Sequence, residues 1–248
     1  MNFGIFFHAN SHKFYFWFFI LLLGAQIFLW KKTENYHPPF EIIPPAPNKY
    51  LVEGASFGDH EFVFRSLAMR LQNSGDVFAG FIALKNYDYA RIYDWMKMLD
   101  GLNSESHLVP ALASDYYSQT TETADVIYIV NYLDEHAQKN IDENWWWMFQ
   151  ASFLAKEVLK DMPRALDLAG KLAKNNSKKA PLWTKQWVAF LSEKNGDGCL
   201  AFRVIAQLID ESESGKRVVQ PQEMEFMRYF IKSRLSQLKN KKFDPRKC

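Results

Sequence analysis

Glycine and proline are scarce in this chain, 11 and 10 of 248 residues, and half of the prolines fall together as Pro38, Pro39, Pro44, Pro45 and Pro47. An all-β protein needs turn residues spread along its length, so that class is excluded. Cysteine is nearly absent. Cys199 and Cys248 have no spacing for a disulfide framework or a thiolate metal site. Cys199 sits in an apolar helical stretch, where a small core residue is expected. Charge of one sign is also lacking. The formal net charge is +2, too weak for a nucleic-acid partner.

Sequence signatures of catalysis are missing as well. Gly170-Lys171 lacks both the upstream glycine and the following Ser/Thr of a phosphate loop. No Cys-x-x-Cys, His-Glu-x-x-His or calcium loop appears, and no serine sits in a nucleophile elbow. His8 and His12 stand four apart without further ligands nearby, and His37, His60, His107 and His136 are scattered. Acids such as Asp134 and Glu135 read as solvated helix faces. We expect no enzyme, no cofactor, and no catalytic, cofactor-binding or metal-binding residue.

What the chain does have is apolar and aromatic surface: 48% hydrophobic residues, with 21 Phe, 11 Tyr and 8 Trp. Part of it forms one block. Residues Phe14–Trp30 read FYFWFFILLLGAQIFLW, without a charge. At about 1.5 Å per residue this helix spans roughly 26 Å, near the thickness of a hydrocarbon core. Lys13 and Lys31–Lys32 flank it and can snorkel, and Tyr15, Trp17 and Trp30 suit the interfaces. A cleaved signal peptide is the rival. Bulky Ile27, Phe28, Leu29 and Trp30 occupy the positions where a peptidase needs small residues. No cysteine follows, which excludes a bacterial lipoprotein. The expectation is a single-pass protein of a bacterial inner membrane. The lysine count leans slightly toward a cytoplasmic domain, whereas a short anchor with a basic tail and a proline spacer suits an exported one; the two arguments nearly cancel, so the side of the remaining chain stays open.

Residues 31–50 then form a proline-rich segment, expected to be a semi-rigid spacer. From Leu51 onward the helical period dominates. Candidate helices are 59–73, 87–101, 106–118, 122–138, 143–160, 163–174, 181–194, 198–212 and 221–240, and 76–84 is ambiguous, a possible short helix. Every second helix looks alike: YARIYDWMKML, TADVIYIVNYL, RALDLAGKLA and LAFRVIAQLI. An alanine falls in each first turn, Ala90, Ala124, Ala165 and Ala201, separated by 34, 41 and 36 residues. Two helices per such period signal stacked helical hairpins, with alanine letting the helices approach where they cross. The expected fold is all-α: one transmembrane helix, then an α-solenoid of antiparallel hairpins. Its divisions are a tail 1–13, the span 14–30, the spacer 31–50, repeats 51–219, a capping helix 220–240 and a basic tail 241–248. Eight bases between Arg228 and Lys247 leave lipid binding by that tail as a further option.

The segment 143–175, ENWWWMFQASFLAKEVLKDMPRALDLAGKLAKN, resembles a tetratricopeptide repeat (TPR). It has a Trp-rich first helix, small Ala151 and Ala155 at the crossing, a Lys160–Asp161 turn, and Arg164-Ala165-Leu166 opening the second helix. Segments 181–212 and 106–138 resemble further copies. The glycine usual in the first helix is absent. The domain also resembles membrane-anchored helical proteins of α-proteobacteria that have no assigned activity. The resemblance implies a scaffold or adaptor for protein–protein interaction. Trp145, Trp146 and Trp147 cover about 300° of a helix, so at least one must face outward; with Tyr116 and Tyr117 they are the candidate protein-binding residues. Two other readings stand beside this one: a structural accessory subunit of a larger membrane complex, and an enzyme with an unrecognised site.

Overall fold

The computed structural model describes residues 6–33, 41–77, 80–174, 179–216 and 218–237. It divides into two compact units, Met1–Glu41 and Ile42–Cys248. In the first, helix α1 (Phe6–Thr33) starts well before the apolar block, so much of the expected tail is helical. Its stretch Lys13–Thr33 is long and apolar enough to cross a membrane and is wholly exposed.

Among its described residues, the second unit's regular structure is helical apart from one ladder of two-residue strands. Helices α2 (Lys49–Ala55) and α3 (His60–Gln72) lead to the strands β1 (Asp76–Val77) and β2 (Gly80–Phe81). These pair antiparallel, with Val77 opposite Gly80. The stretch 76–84, ambiguous from sequence with a short helix possible, carries this ladder. Gly75, at φ +84°, ends α3's turn in a left-handed conformation that breaks any helical continuation. Next come α4 (Tyr89–Leu102), the single turn α5 (Leu108–Ala111), α6 (Val126–Lys139), α7 (Ile141–Glu157), α8 (Met162–Lys174), α9 (Trp183–Lys194), α10 (Gly198–Glu213) and α11 (Pro221–Gln237).

Local chemistry sets several starts. Asp59, Asp88 and Asp197 cap α3, α4 and α10, their carboxylates accepting from Phe62, Arg91 and Leu200 N–H at 2.9, 3.1 and 2.9 Å. Pro221 opens α11, where a missing N–H costs nothing. The expected single helix over 106–118 is broken. After α5 the backbone widens into a π-turn at Leu112–Tyr116 and tightens into a 3-10 turn at Tyr117–Gln119. Helix α7 carries non-helical dihedrals at Asn144, close to its expected start at 143.

From α6 to α11 each helix packs on the next in sequence, and α4 packs on α3 and α6. The burial pattern repeats along the second helix of each pair. Ile92, Val126, Ala165 and Ala201 are buried at one equivalent position, and Leu99, Leu133, Leu172 and Leu208 at another. Their separations are 34, 39 and 36 residues. The alanine register read from sequence therefore slips by two at its middle step. Ala165 and Ala201 do lie at crossings, whereas Ala90 and Ala124 are exposed and Ile92 and Val126 take their place. Small residues line the α7–α8 crossing: Ala151, Ser152, Ala155, Ala165 and Ala169 have no exposed surface.

The proline-rich segment does not behave throughout as the expected spacer. Ile43 is 2% exposed in the main core. Its carbonyl accepts from Arg91 at 2.8 Å, and the Pro44 carbonyl accepts from the Trp95 indole N–H at 2.7 Å. Pro38 and Pro39 lie outside the described residues. The expected cap is also modified. Helix α11 buries Met227 and Phe230 in a second core cluster with Ala201, Ile205 and Leu208, yet Phe226, Tyr229 and Leu235 stay exposed. Of the terminal bases, Arg228 pairs with Glu213 and Arg234 with Glu193; Lys239, Lys241, Lys242, Arg246 and Lys247 lie outside the described residues. Cys199 is disulfide-bonded rather than a free core thiol, and Cys248, the other cysteine, is likewise outside the described residues.

Candidate protein-binding face and polar cleft

Three consecutive tryptophans on α7 take three different environments, as 100° per residue requires. Trp147 points inward, and its indole N–H donates to His107 Nδ1 at 3.2 Å. Trp145 is half-buried against Trp183 of α9. Trp146 faces outward, 40% exposed. Of the two candidate tyrosines, Tyr116 is exposed. Tyr117 is not a surface residue: it has no exposed area, and its hydroxyl donates to the Leu71 carbonyl at 2.7 Å. The turns between α5 and α6 separate this pair, and no sequence signal marks which tyrosine turns in.

The outward tryptophan belongs to a row that the sequence did not reveal as continuous. Trp146 meets Phe149 with ring centroids 5.5 Å apart, and Phe149 meets Phe153 at 6.2 Å. Across to α9, Phe149 touches Trp183 at 4.8 Å and Trp187 at 5.3 Å, both edge to face. Phe190 of α9 then reaches Phe226 and Phe230 of α11 at 5.9 and 6.4 Å. The row thus consists of two contacting groups, one between α7 and α9 and one between α9 and α11, that share α9, with Trp146, Phe153 and Phe226 exposed along it. Edge-to-face contacts of this kind contribute about 0.5–1.5 kcal/mol each beyond area burial.

Charges punctuate the row. The Lys156 ammonium lies 5.3 Å from the Trp187 ring and pairs with Glu157, whose carboxyl it holds below the usual range. The Arg234 guanidinium sits 4.8 Å over Phe230 and pairs with Glu193. Beneath the row, the Trp187 indole N–H donates to Ser152 Oγ at 2.9 Å, and Ser152 donates to the Ala165 carbonyl at 2.8 Å. One hydroxyl thereby connects α7, α8 and α9.

A polar cleft of about 540 Å³ opens where the α4–α5 loop meets the end of α6 and the start of α7, lined among others by Glu105, His107, Lys139, Glu143 and Asn144. Beside it, Asp100 binds both the His136 ring, at 2.6 Å to Nδ1, and the Lys139 ammonium, at 2.6 Å. His136 and Asp100 are buried, and among the described residues no group bonds His136 Nε2. The acid fixes the ring and joins α4 to α6. The same device recurs one repeat later. Asp134, read from sequence as solvated, is buried, and it pairs with Lys171 of α8 at 2.8 Å. Asp100 and Asp134 occupy equivalent positions 34 residues apart, so buried acid–lysine pairs stitch α4 to α6 and α6 to α8. Sequence reasoning missed both, because their partners lie 36–39 residues away.

Burial also marks three phenols. It pushes Tyr89 up to about 12 and holds Tyr117 and Tyr132 far above the ordinary tyrosine value. Among the described residues no group of three or more His, Cys, Asp or Glu side chains is placed to hold a metal ion. No known family model, curated protein or solved structure matches the chain.

Proposed function

We propose that this chain is a membrane-anchored, TPR-like helical-repeat adaptor that binds an apolar segment of a partner protein on the aromatic row of α7, α9 and α11. The observation that carries the reading is that row. It crosses three helices that are not neighbours in sequence, and it keeps Trp146, Phe153 and Phe226 open to solvent after folding is complete. Monomeric folds seldom leave aligned aromatics bare, and tryptophan is enriched among residues that dominate binding energy. The alternating Lys156–Glu157 and Glu193–Arg234 pairs give the row a polar rim. Helices stacked in sequence order, with burial repeating every 34–39 residues, support a solenoid of TPR type.

The apolar stretch Lys13–Thr33 is the anchor in this reading. The disulfide at Cys199 favours an oxidising compartment, so we assign the domain to the exported side of a bacterial inner membrane. Protease added to intact spheroplasts digests an exported domain and spares a cytoplasmic one.

The experiment for the adaptor reading is affinity purification of the tagged full chain from detergent-solubilised membranes, with mass spectrometry of what co-purifies. A stoichiometric protein retained by the wild type and lost on Trp146→Ala with Phe153→Ala establishes it. A companion indifferent to those substitutions moves binding elsewhere and favours a structural subunit.

A further inference from the structure

Helices α2 and α3 meet in a corner that exposes an apolar surface apart from the aromatic row. Tyr50, Leu51, Phe57 and Phe62 are 80%, 74%, 98% and 67% exposed. Gly54, Ala55 and Gly58 leave the backbone of the corner bare, and the exposed charges beside Phe62 are tied up locally: Asp59 caps α3 and Glu61 pairs with Arg65 at 2.6 Å. The two ionic groups of α2, Lys49 and Glu53, neutralise one another at 3.5 Å. Phe57 is held out on a left-handed backbone, φ +49°, followed by Gly58 at +94°. Buried Ser56 fixes this bend: its hydroxyl donates to the Glu53 carbonyl at 2.7 Å and accepts from Gly58 N–H at 3.3 Å. An aromatic side chain at positive φ is rare, and this one gains no packing within the chain in return.

We propose that this corner is a membrane-surface wedge, with Phe57 at its tip and Tyr50, Leu51 and Phe62 around it, seated at the boundary between headgroups and acyl chains. The proposal rests on the membrane-anchored reading above. Covalent continuity singles out lipid as the occupant. Thr33 ends α1, and Ile43 and Pro44 are bonded to α4, so nine residues, 34–42, separate the anchor from the fold. Fully extended, nine residues reach about 30 Å. Helix α2 begins six residues after Ile43, so a bilayer crossed by α1 is the one large apolar phase that the tether itself delivers to this corner. The composition agrees. Aromatics and leucine without a basic cluster insert through apolar burial rather than by attraction to anionic headgroups.

The test uses the full chain in phosphatidylcholine vesicles containing a clickable lipid tail, with the photo-crosslinker benzoylphenylalanine in place of one residue at a time. Leu22 in α1 reports the anchor, Phe57 reports the wedge, and Val218, also 98% exposed, is the control. The expected result is lipid adduct at Leu22 and at Phe57, with Val218 lower by about tenfold. Adduct at Leu22 but not at Phe57 overturns the wedge and leaves the anchor standing. Adduct at neither overturns both. Chain–chain adducts at Phe57 in place of lipid overturn the wedge in favour of a second copy. Phe57→Gly separates a packing role: the wedge predicts an unchanged or higher melting temperature, and a marked fall overturns it.

Discussion

The indole N–H of Trp187 is bonded to the hydroxyl of Ser152, a residue on a different hairpin, at 2.9 Å. That hydroxyl donates onward to Ala165 at an alanine-lined crossing; this second bond is buried and the indole bond is partly so. Ser152→Ala leaves a donor and an acceptor unpaired and is expected to cost about 2–3 kcal/mol. Trp187→Phe removes one bond and strands nothing but the hydroxyl's lone pair, costing about 1 kcal/mol plus lost packing. Thermal and urea unfolding followed by helical circular dichroism give the order. A larger loss for Trp187→Phe than for Ser152→Ala contradicts it.

Trp146 and Trp147 are neighbours with opposite roles. Trp147→Ala opens a cavity in the main core and is expected to cost about 3–5 kcal/mol. Trp146→Ala should leave stability within about 0.5 kcal/mol and abolish partner retention. Comparing unfolding midpoints with co-purification yields separates the two; an unstable Trp146→Ala protein removes that ring from the binding face.

Asp100 holds two bases on α6, one of them a wholly buried imidazole. Asp100→Ala is expected to destabilise by about 2–4 kcal/mol, since it strands the His136 ring as well as the Lys139 ammonium. Asp134→Ala strands no buried imidazole, only the partly exposed Lys171, and should cost less. Equal losses in denaturant melts would mean that the ring contributes nothing.

Alkaline pH should unfold the domain from a defined direction. An ordinary phenol loses its proton near pH 10 in the unfolded chain, whereas Tyr89 holds its proton to about 12 and Tyr117 and Tyr132 hold theirs longer still. Above pH 10 the folded form therefore binds more protons than the unfolded form, and stability falls as pH rises. Their contribution is complete below about pH 10 and falls as pH rises, until about pH 12 for Tyr89 and beyond that for Tyr117 and Tyr132. Phenolate absorbance recorded beside circular dichroism should show a late group of tyrosines that ionise together with helix loss; ionisation before any helix loss would contradict it.

The proline-rich segment offers a cleaner test of where the fold begins. A fragment starting at residue 42 should be as stable as the same unit within the full chain, and Ile43→Ala within it should cost about 2–4 kcal/mol. Removing residues 42–48 should cost more, because Arg91 and Trp95 also lose their carbonyl partners. A fragment from residue 49 with an unchanged melting temperature would make the segment a passenger.

Much of the helical architecture was legible because strong 3.6-residue periodicity and aspartate or proline at the starts act locally. Helices α3, α4 and α6–α11 lie within a few residues of their expected positions. What the sequence hid was non-local. Alanine content suggested a register at Ala90 and Ala124, but the crossing is fixed by which side chains meet the partner helix, and there Ile92 and Val126 do so. The prolines concealed that the carbonyls of Ile43 and Pro44 remain free to accept bonds even though proline donates none. Tyr116 and Tyr117 could not be told apart because a π-turn changes the angle between successive side chains. The exposed side of the tryptophan triplet was foreseeable from helix geometry alone. Its extension to α9 and α11 depended on how hairpins stack.

The bonds from Ile43 and Pro44 to α4 have a mechanical consequence. They join residues 48 and 51 positions apart, so α2 and α3 lie inside a loop pinned at both ends on α4. A pull transmitted along the chain from α1 enters the fold at Arg91 and Trp95, in shear across α4, and bypasses the two N-terminal helices. Those helices stay out of the load path: α3 keeps Phe64, Ala68 and Leu71 in the main core while the rest of the stack bears the pull.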